Sequence, residues 1–289
     1  MVRFEYLEPN TLEEASSLLL HHGAEAKILA GGTDLLTRLK RRQWRPRYVI
    51  NLKRIPGLDQ IASENGQGLR IGAFAAIRSL EKSEVVRERF PLLAEASGLL
   101  GSVQIRNLAT VGGNLCNAAP SADTAPPLIA LSASALIFGP GGERVVPLEE
   151  FLIGPGTTAL RPGEILVGLR VPSLPPGSGG AYIKLSPRGS MDLAIVGGAA
   201  VVTLAGEVCL DCRVVVGAVA PTPLRCIDAE AVLRGNPITP ELADRAGEAA
   251  SAQSRPISDV RGSAEYRKEM VRVIAKRAII QAAERARAR

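Results

Sequence analysis

The segment of residues 27–36, with the sequence Lys-Ile-Leu-Ala-Gly-Gly-Thr-Asp-Leu-Leu, constrains the fold of this chain more than any other. Apolar residues run into a glycine pair and then a helical pattern, which predicts a strand, a tight turn and a helix start. Such a turn lines up backbone N–H groups, because glycine has no side chain and permits positive φ. The first N–H groups of the helix also lack partners, so the segment predicts a phosphate or diphosphate site. Thr33 can add a hydroxyl donor, and Asp34 can cap the helix.

A second glycine pair, Gly112-Gly113, lies in a similar segment of residues 109–115. It also follows an apolar stretch and is followed by small polar residues. Neither segment matches the G-x-G-x-x-G or G-x-x-x-x-G-K-[ST] pattern, which argues against the Rossmann and Walker A schemes. A glycine pair between a strand and a helix is also typical of an ordinary turn. The phosphate-site hypothesis therefore depends on the two segments together.

The charge of the chain is compatible with several kinds of partner. The net charge is +6, from 35 basic and 29 acidic residues, and basic residues cluster in segments 38–47 and 285–289. Aromatic residues make up only 3% of the chain and are not interleaved with these clusters. We therefore favour a solvated helix face that attracts an acidic partner or anionic ligand over nucleic-acid binding. No apolar run suits a membrane span and no signal peptide is visible, so we expect a cytoplasmic location.

The cysteines and histidines offer little for catalysis or metal binding. Cys209 and Cys212 have ligand-like spacing, but their neighbours predict a strand, in which residues three apart point to opposite faces. We therefore expect neither a metal site nor a redox pair there. His21 and His22 are adjacent at a predicted helix end beside Gly23. We predict no catalytic residue and no metal ligand in the chain.

The order of predicted elements indicates an α+β protein with two domains. Residues 1–175 contain short strands and helices, including a hairpin around the Gly-Pro-Gly-Gly turn of residues 139–142. A Pro- and Gly-rich linker is predicted at residues 173–180. Residues 180–289 contain three strand candidates, expected to form an antiparallel meander, at 181–185, 194–204 and 208–218. Three helices are predicted after them, at 226–234, 240–253 and 266–287.

The two glycine motifs, at residues 30–34 and 110–114, together with the Pro-Ser-Ala-Asp of residues 120–123, resemble a known family. The chain is similar to the FAD-binding subunits of molybdenum hydroxylases, such as those of carbon monoxide dehydrogenase and xanthine dehydrogenase. The resemblance covers nearly the whole chain. It implies a two-part FAD-binding domain of the vanillyl-alcohol-oxidase/PCMH type over residues 1–175. A small C-terminal domain, with a three-stranded sheet and three helices, would then occupy residues 180–289.

The resemblance also implies roles for individual residues. The first segment would wrap the diphosphate of FAD through Ile28, Leu29, Ala30, Gly31, Gly32, Thr33, Asp34 and Leu35. The second would form the opposite wall through Thr110, Gly112, Gly113, Asn114 and Asn117. Asp123 would accept hydrogen bonds from ribitol or ribose hydroxyls, and Leu166 would pack near the adenine or the ring system. Lys184 would approach the flavin, where a cation favours the anionic reduced form.

Some of these residues have simpler interpretations, and two positions depart from the family. Lys184 could be a charge that protects an edge strand, and Asp123 could be only a helix cap. Thr110 and Asn117 could be ordinary turn residues. Leu100 stands where some relatives have an aromatic residue over the flavin, and Leu193 stands where others have Tyr. The resemblance therefore implies a flavin without its two usual aromatic covers.

The function that the resemblance implies is electron transfer. Electrons from the [2Fe-2S] centres of a small partner subunit would reach FAD on this chain and leave to a quinone, NAD or oxygen. A large molybdopterin-binding subunit would oxidise the substrate, and the implied assembly is a dimer of heterotrimers. The alternatives are a stand-alone FAD-dependent oxidoreductase and a non-catalytic nucleotide-binding module.

Overall fold

The computed structural model describes residues 3–64, 68–189 and 191–289. The chain begins with a parallel three-stranded sheet in the order β1-β3-β2, built from Glu5–Leu7 (β1), Ala26–Leu29 (β2) and Tyr48–Asn51 (β3). Two helices, Leu12–His22 (α1) and Leu35–Lys40 (α2), belong to this part. The Glu14 N–H donates to the Thr11 hydroxyl at the start of α1, and Gly23, with φ +50°, ends it. The strand, turn and helix predicted around the first glycine pair are thus confirmed.

A five-stranded antiparallel sheet follows, in the order β4-β5-β10-β6-β7. The strands of this sheet are Ile61–Glu64 (β4), Gly68–Gly72 (β5), Ser134–Gly139 (β6), Gly142–Pro147 (β7) and Ile165–Pro172 (β10). A separate small hairpin is formed by Leu152–Gly154 (β8) and Thr157–Thr158 (β9). The helices of this part are Ile77–Lys82 (α3), Glu84–Arg89 (α4), Pro91–Leu99 (α5), Val103–Leu108 (α6), Val111–Cys116 (α7), Ala125–Ala130 (α8) and Leu148–Phe151 (α9). The predicted hairpin is formed by β6 and β7.

The last part of the chain is a meander covered by helices, as predicted. Its strands are Ser178–Leu185 (β11), Val196–Ala205 (β12), Val208–Gly217 (β13) and Leu224–Arg225 (β14), in sequential order. Its helices are Ile227–Leu233 (α10), Pro240–Gln253 (α11) and Ala264–Arg287 (α12). The prediction of three strands is wrong by one, because the two-residue β14 pairs with β13 and is too short to leave a periodic pattern. Residues 178–180, predicted as linker, are buried in β11.

The C-terminal part is fastened to the five-stranded part by polar contacts. Arg285 on α12 donates to the Glu95 carboxylate of α5 at 3.1 Å, and within its own part to the Gly180 carbonyl oxygen at 2.7 Å. Arg287 pairs with Glu207, also within the C-terminal part, at 2.8 Å. Two members of the predicted basic cluster at residues 285–289 therefore act inside the molecule, as partners of its own carboxylates.

Cys209 and Cys212 lie on the same face of β13, so the predicted opposite orientation is wrong. Both side chains are buried in the core between the sheet and the helices. The pairing register shifts here, since Thr203 pairs with Asp211 and Leu204 with Cys209, which leaves Leu210 as an extra residue. Such a bulge interrupts the alternation of side chains along a strand. The spacing rule fails for this reason.

Metal-ligand clusters and membrane-spanning helices are both absent from the residue ranges given above. No group of three or more His, Cys, Asp or Glu side chains is arranged there to hold a metal ion. No helix there has the length and apolar character that crossing a membrane would require.

Candidate functional site

The two glycine segments lie directly against each other. A Cβ atom at Gly31 would overlap the carbonyl oxygen of Leu108, the last residue of α6. A Cβ atom at Gly112 would lie 2.6 Å from the Ala73 carbonyl oxygen, closer than real contacts allow. Glycine is therefore required at both positions by the approach of one backbone to another. The segments that the sequence singled out separately form one structural unit.

The first segment presents a row of free backbone donors. The chain turns through Gly32, with φ +76°, and enters α2 at Leu35. Within the described part of the chain, none of the N–H groups of residues 31–35 donates a hydrogen bond. Adjacent free N–H groups at a turn and helix start form a concave site for an anion. The donors predicted from the sequence are present.

The predicted helix cap by Asp34 is wrong. Asp34 precedes α2, but its backbone is already helical, with φ −89° and ψ −51°, and its side chain makes no capping hydrogen bond. A side-chain cap needs an extended backbone at this position. Asp34 instead lines the cavity described below.

The second segment differs from the first, because its N–H groups are already used. Gly112 and Gly113 lie in the first turn of α7. The Gly112 N–H donates to the Ala73 carbonyl at 2.8 Å, and the Gly113 N–H donates to the Thr110 hydroxyl at 3.0 Å. The two segments are therefore not equivalent as donor sites, although their sequences are similar. This segment offers a bare backbone surface, and Thr110 caps its helix.

The two segments enclose a cavity of about 260 Å³. Most residues with predicted binding roles line it: Ile28, Ala30, Gly31, Gly32, Thr33, Asp34, Leu35, Leu100, Thr110, Gly112, Gly113, Asn114, Asn117 and Leu166. Leu29, Asp123 and Lys184 do not. Leu29 packs against the small core beneath α2, because neighbouring strand residues alternate between faces.

No binding role is predicted from the sequence for the other lining residues: Trp44, Leu52, Ala73, Phe74, Ala109, Cys116, Leu160 and Ile165. Trp44 and Phe74 bring aromatic residues to the cavity from positions other than 100 and 193, where the family resemblance leads one to expect them. Leu193 is half-exposed and is not among the residues that line this cavity. Trp44 lies in a basic, loop-like stretch, where no periodicity indicates a direction for its side chain.

Asp123, Lys184 and Tyr182 form a buried polar group behind the cavity wall. The Lys184 ammonium lies 2.8 Å from one Asp123 oxygen, and the Tyr182 hydroxyl donates to the other at 2.9 Å. Lys184 also donates to the Leu99 carbonyl oxygen at 3.1 Å, next to Leu100 in the wall. Burial raises the pKa of Asp123 above its ordinary value, although Lys184 and Tyr182 act in the opposite direction.

The structure excludes two of the simpler interpretations, those of Lys184 as an edge-strand charge and of Asp123 as a helix cap. The Lys184 side chain is 4% exposed, so it is not a solvent-facing charge on an edge strand. The residue that precedes α8 is Thr124, so Asp123 is not its cap. The Thr124 hydroxyl instead donates to Asn114 in the cavity wall at 2.6 Å. The buried group therefore lies next to the cavity wall at two points, through Thr124, which follows Asp123, and through Leu99, which precedes Leu100.

The arrangement suits an elongated anionic ligand with apolar rings. The N–H row supplies donors for phosphate oxygens, and aliphatic side chains such as Leu52, Leu160 and Ile165 supply apolar walls. Glycine at positions 31 and 112 lets the two segments pack closely, and no side chain from either position fills the cavity.

Known proteins match this chain over nearly its whole length. Residues 2–174 match the family described as the FAD binding domain in molybdopterin dehydrogenase, and residues 181–282 match the CO dehydrogenase flavoprotein C-terminal domain. The carbon monoxide dehydrogenase medium chain of Hydrogenophaga pseudoflava is 39% identical, with 96% of each chain covered. The xanthine dehydrogenase FAD-binding subunit of Escherichia coli O157:H7 is 34% identical, over 96% of this chain and 95% of that one. A solved structure of the Hydrogenophaga carbon monoxide dehydrogenase superposes with a TM-score of 0.94, covering 98% of both chains.

Proposed function

This chain belongs to the family of FAD-binding subunits of molybdenum hydroxylases, and on that premise we propose that its cavity binds FAD between the two glycine segments. The chain acts as the electron-transfer subunit of an oxidoreductase complex. The observation that carries the proposal is the row of free N–H groups of residues 31–35 facing a cavity whose far wall is the backbone of Gly112 and Gly113.

The residues present fit the cofactor. A diphosphate needs closely spaced donors, and the N–H row provides them next to the Thr33 side chain. The flavin and adenine rings need apolar walls, and Ile28, Leu100 and Leu166 provide them. The nearest atom to a Cβ added at Gly113 is the Thr110 hydroxyl oxygen, 2.9 Å away, which caps the same helix. The wall is therefore open to the ligand at this point.

The chain's residues bind and orient the cofactor, and no side chain serves as nucleophile or base. Bound FAD supplies the redox chemistry, since a flavin accepts single electrons and releases a pair. The N–H row holds the diphosphate, and the bare surface of the second segment lets the cofactor lie close to the backbone. Asp123 and Lys184 do not line the cavity, but Thr124, which follows Asp123, donates to the wall residue Asn114, and Lys184 donates to Leu99, which precedes the wall residue Leu100. Their predicted direct contacts with FAD remain part of the proposal.

We further propose the partners that the family membership supports. A small subunit with two [2Fe-2S] centres delivers electrons, and a large molybdopterin-binding subunit oxidises the substrate. The assembly is a dimer of heterotrimers in the cytoplasm, and electrons leave to a quinone, NAD or oxygen. Within the chain, we place the boundary between the two domains in residues 173–177, between β10 and β11.

The function is tested on the purified chain and on its complex. We expect the chain to carry about one FAD, released on denaturation, and to oxidise no organic substrate alone. In the complex, substrate should bleach the flavin absorbance. A colourless chain that takes up no FAD would overturn the proposal. Turnover of an organic substrate by the isolated chain would instead establish a stand-alone oxidoreductase.

Cys116 provides a chemical test of where the cofactor lies. Its side chain faces the cavity, whereas the other three cysteines are buried. Desolvation by the surrounding protein raises the pKa of the Cys116 thiol above its ordinary value. In FAD-free protein we expect iodoacetamide to modify Cys116 alone, with a rate that rises about tenfold per pH unit between pH 7 and 9, because only the thiolate reacts.

Saturating FAD should slow this modification at least about tenfold by covering the thiol, as peptide mass spectrometry would show. Cys209, Cys212 and Cys226 are buried, so they should stay unmodified with or without FAD. Equal Cys116 rates with and without FAD would contradict the placement of the cofactor.

A further inference from the structure

Arg38 and Trp44 stand at the edge of the cavity in an arrangement that the proposed function does not use. We propose that they form a cationic latch on the bound dinucleotide, an inference that rests on the proposed function. In this latch the Arg38 guanidinium pairs with a diphosphate oxygen from the side opposite the N–H row. The Trp44 indole holds the guanidinium in place and covers the ligand.

The geometry places the cation between two cavity-lining groups. The Arg38 guanidinium carbon lies 4.2 Å from the centre of the Trp44 ring, within the range of a cation–π contact. Its Nη2 donates to the Asn117 side-chain oxygen at 2.7 Å. Trp44 and Asn117 both line the cavity, one near each glycine segment. The guanidinium therefore bridges the two walls.

The turn that ends α2 produces this arrangement. Arg42 adopts φ +57°, and the Gln43 N–H donates to the Arg38 carbonyl oxygen at 2.9 Å while the Arg42 N–H donates to Leu39 at 3.1 Å. This is the Schellman pattern, in which a left-handed residue reverses the chain. Most proteins use glycine at such a position, and a non-glycine residue there is strained. The turn returns Trp44 to the helix face that carries Arg38.

The local charge favours an anion at the edge of the cavity. Lys27 also approaches the Trp44 ring, with its ammonium 5.3 Å from the ring centre, so two cations share one indole. Neither Lys27 nor Arg38 forms a salt bridge with any carboxylate among residues 3–64, 68–189 and 191–289. Asp34, one helical turn before Arg38, is not within salt-bridge distance of it either. Two unpaired cations beside a cavity with free N–H donors favour an anionic ligand.

The chemistry of the pair identifies the anion. A guanidinium binds phosphate oxygens through parallel N–H groups, in hydrogen bonds about twice as strong as those between neutral groups. Asn117 offers one neutral oxygen, so a diphosphate is the better acceptor and can take over Arg38 with little movement of the chain. The diphosphate is then held from both sides.

Trp44 is the only tryptophan in the chain, so its fluorescence reports directly on the latch. Flavins absorb where tryptophan emits, and FAD added to the FAD-free chain should quench Trp44. We expect Arg38→Leu to raise the Kd for FAD about ten- to a hundredfold. It should also flatten the rise of Kd with NaCl, because a charge–phosphate contact is screened by salt. Arg38→Gln, which keeps a donor for Asn117 but no charge, should behave alike.

The matched control is Lys40→Leu, which removes an equal charge from an exposed position of the same helix. It should leave the Kd and its salt dependence unchanged. If both Arg38 variants keep the wild-type Kd and salt dependence, the latch is overturned. The proposed function still stands in that case, provided that the wild type binds FAD. Saturation with FAD, measured by flavin absorbance after gel filtration, without quenching of Trp44 would also overturn it. A wild-type chain that binds no FAD would defeat the proposed function and the latch together.

Discussion

Gly31→Val is expected to abolish FAD retention and to lower the stability of the chain by about 1–3 kcal/mol. The added side chain would overlap the Leu108 carbonyl oxygen, which is fixed at the end of α6. Backbone cannot rotate away as a flexible side chain can, so the two glycine segments would have to separate. Separation would widen the cavity and misplace the N–H row. Flavin content after gel filtration and the urea midpoint measure the two effects.

The matched control is Gly141→Ala in the β6–β7 hairpin turn. No heavy atom lies within 4 Å of a Cβ at this position, and its φ is not in the left-handed region. We expect wild-type flavin content and a change in stability within about 0.5 kcal/mol. Full flavin occupancy in Gly31→Val would show that the contact between the two segments does not maintain the site.

Asp123→Ala is expected to destabilise the chain by about 3–5 kcal/mol, because it leaves the buried Lys184 ammonium without a counter-charge. The Asp123 and Lys184 side chains are 8% and 4% exposed, so water cannot replace the lost partner. Tyr182 would lose its acceptor as well. The free energy of unfolding from urea titrations measures the loss.

Lys184→Met should cost less and should depend on pH. Burial already raises the pKa of Asp123, and without Lys184 the pKa rises further, so the carboxyl group can remain protonated in the folded protein. The folded state then binds more protons than the unfolded state, whose Asp titrates near about 3.9. The stability of the variant relative to wild type should therefore fall as pH rises from 4.5 to 8. A pH-independent difference would contradict this account.

Local patterns predicted the elements of the fold well. The β6–β7 hairpin and the blocks of strands and helices after residue 177 follow from turn residues and periodicity. The parallel pairing of β1, β2 and β3 was not signalled, because the partners are separated along the chain. The orientation of Cys212 was predicted wrongly, since a bulge depends on cross-strand register rather than on spacing.

The residues that line the site were largely predictable from the sequence, but the separate roles of its glycines and N–H groups were not. The motifs located both glycine segments, yet only the structure separates Gly31 and Gly112, which admit another backbone, from Gly32, which turns the chain. The structure also shows that the N–H groups of the first segment are free, whereas those of the second donate hydrogen bonds to residues 73–75 and to Thr110. These differences arise from tertiary contacts, which no local pattern encodes. The contribution of Trp44 to the cavity depends on the turn after α2 in the same way.

A crystal structure of the chain loaded with FAD tests the central claim most directly. We predict diphosphate oxygens within hydrogen-bond distance of the N–H groups of residues 31–35, with the cofactor passing over Gly113 towards Leu100. FAD bound elsewhere, or a diphosphate held only by side chains while the N–H row faces solvent, would contradict the account.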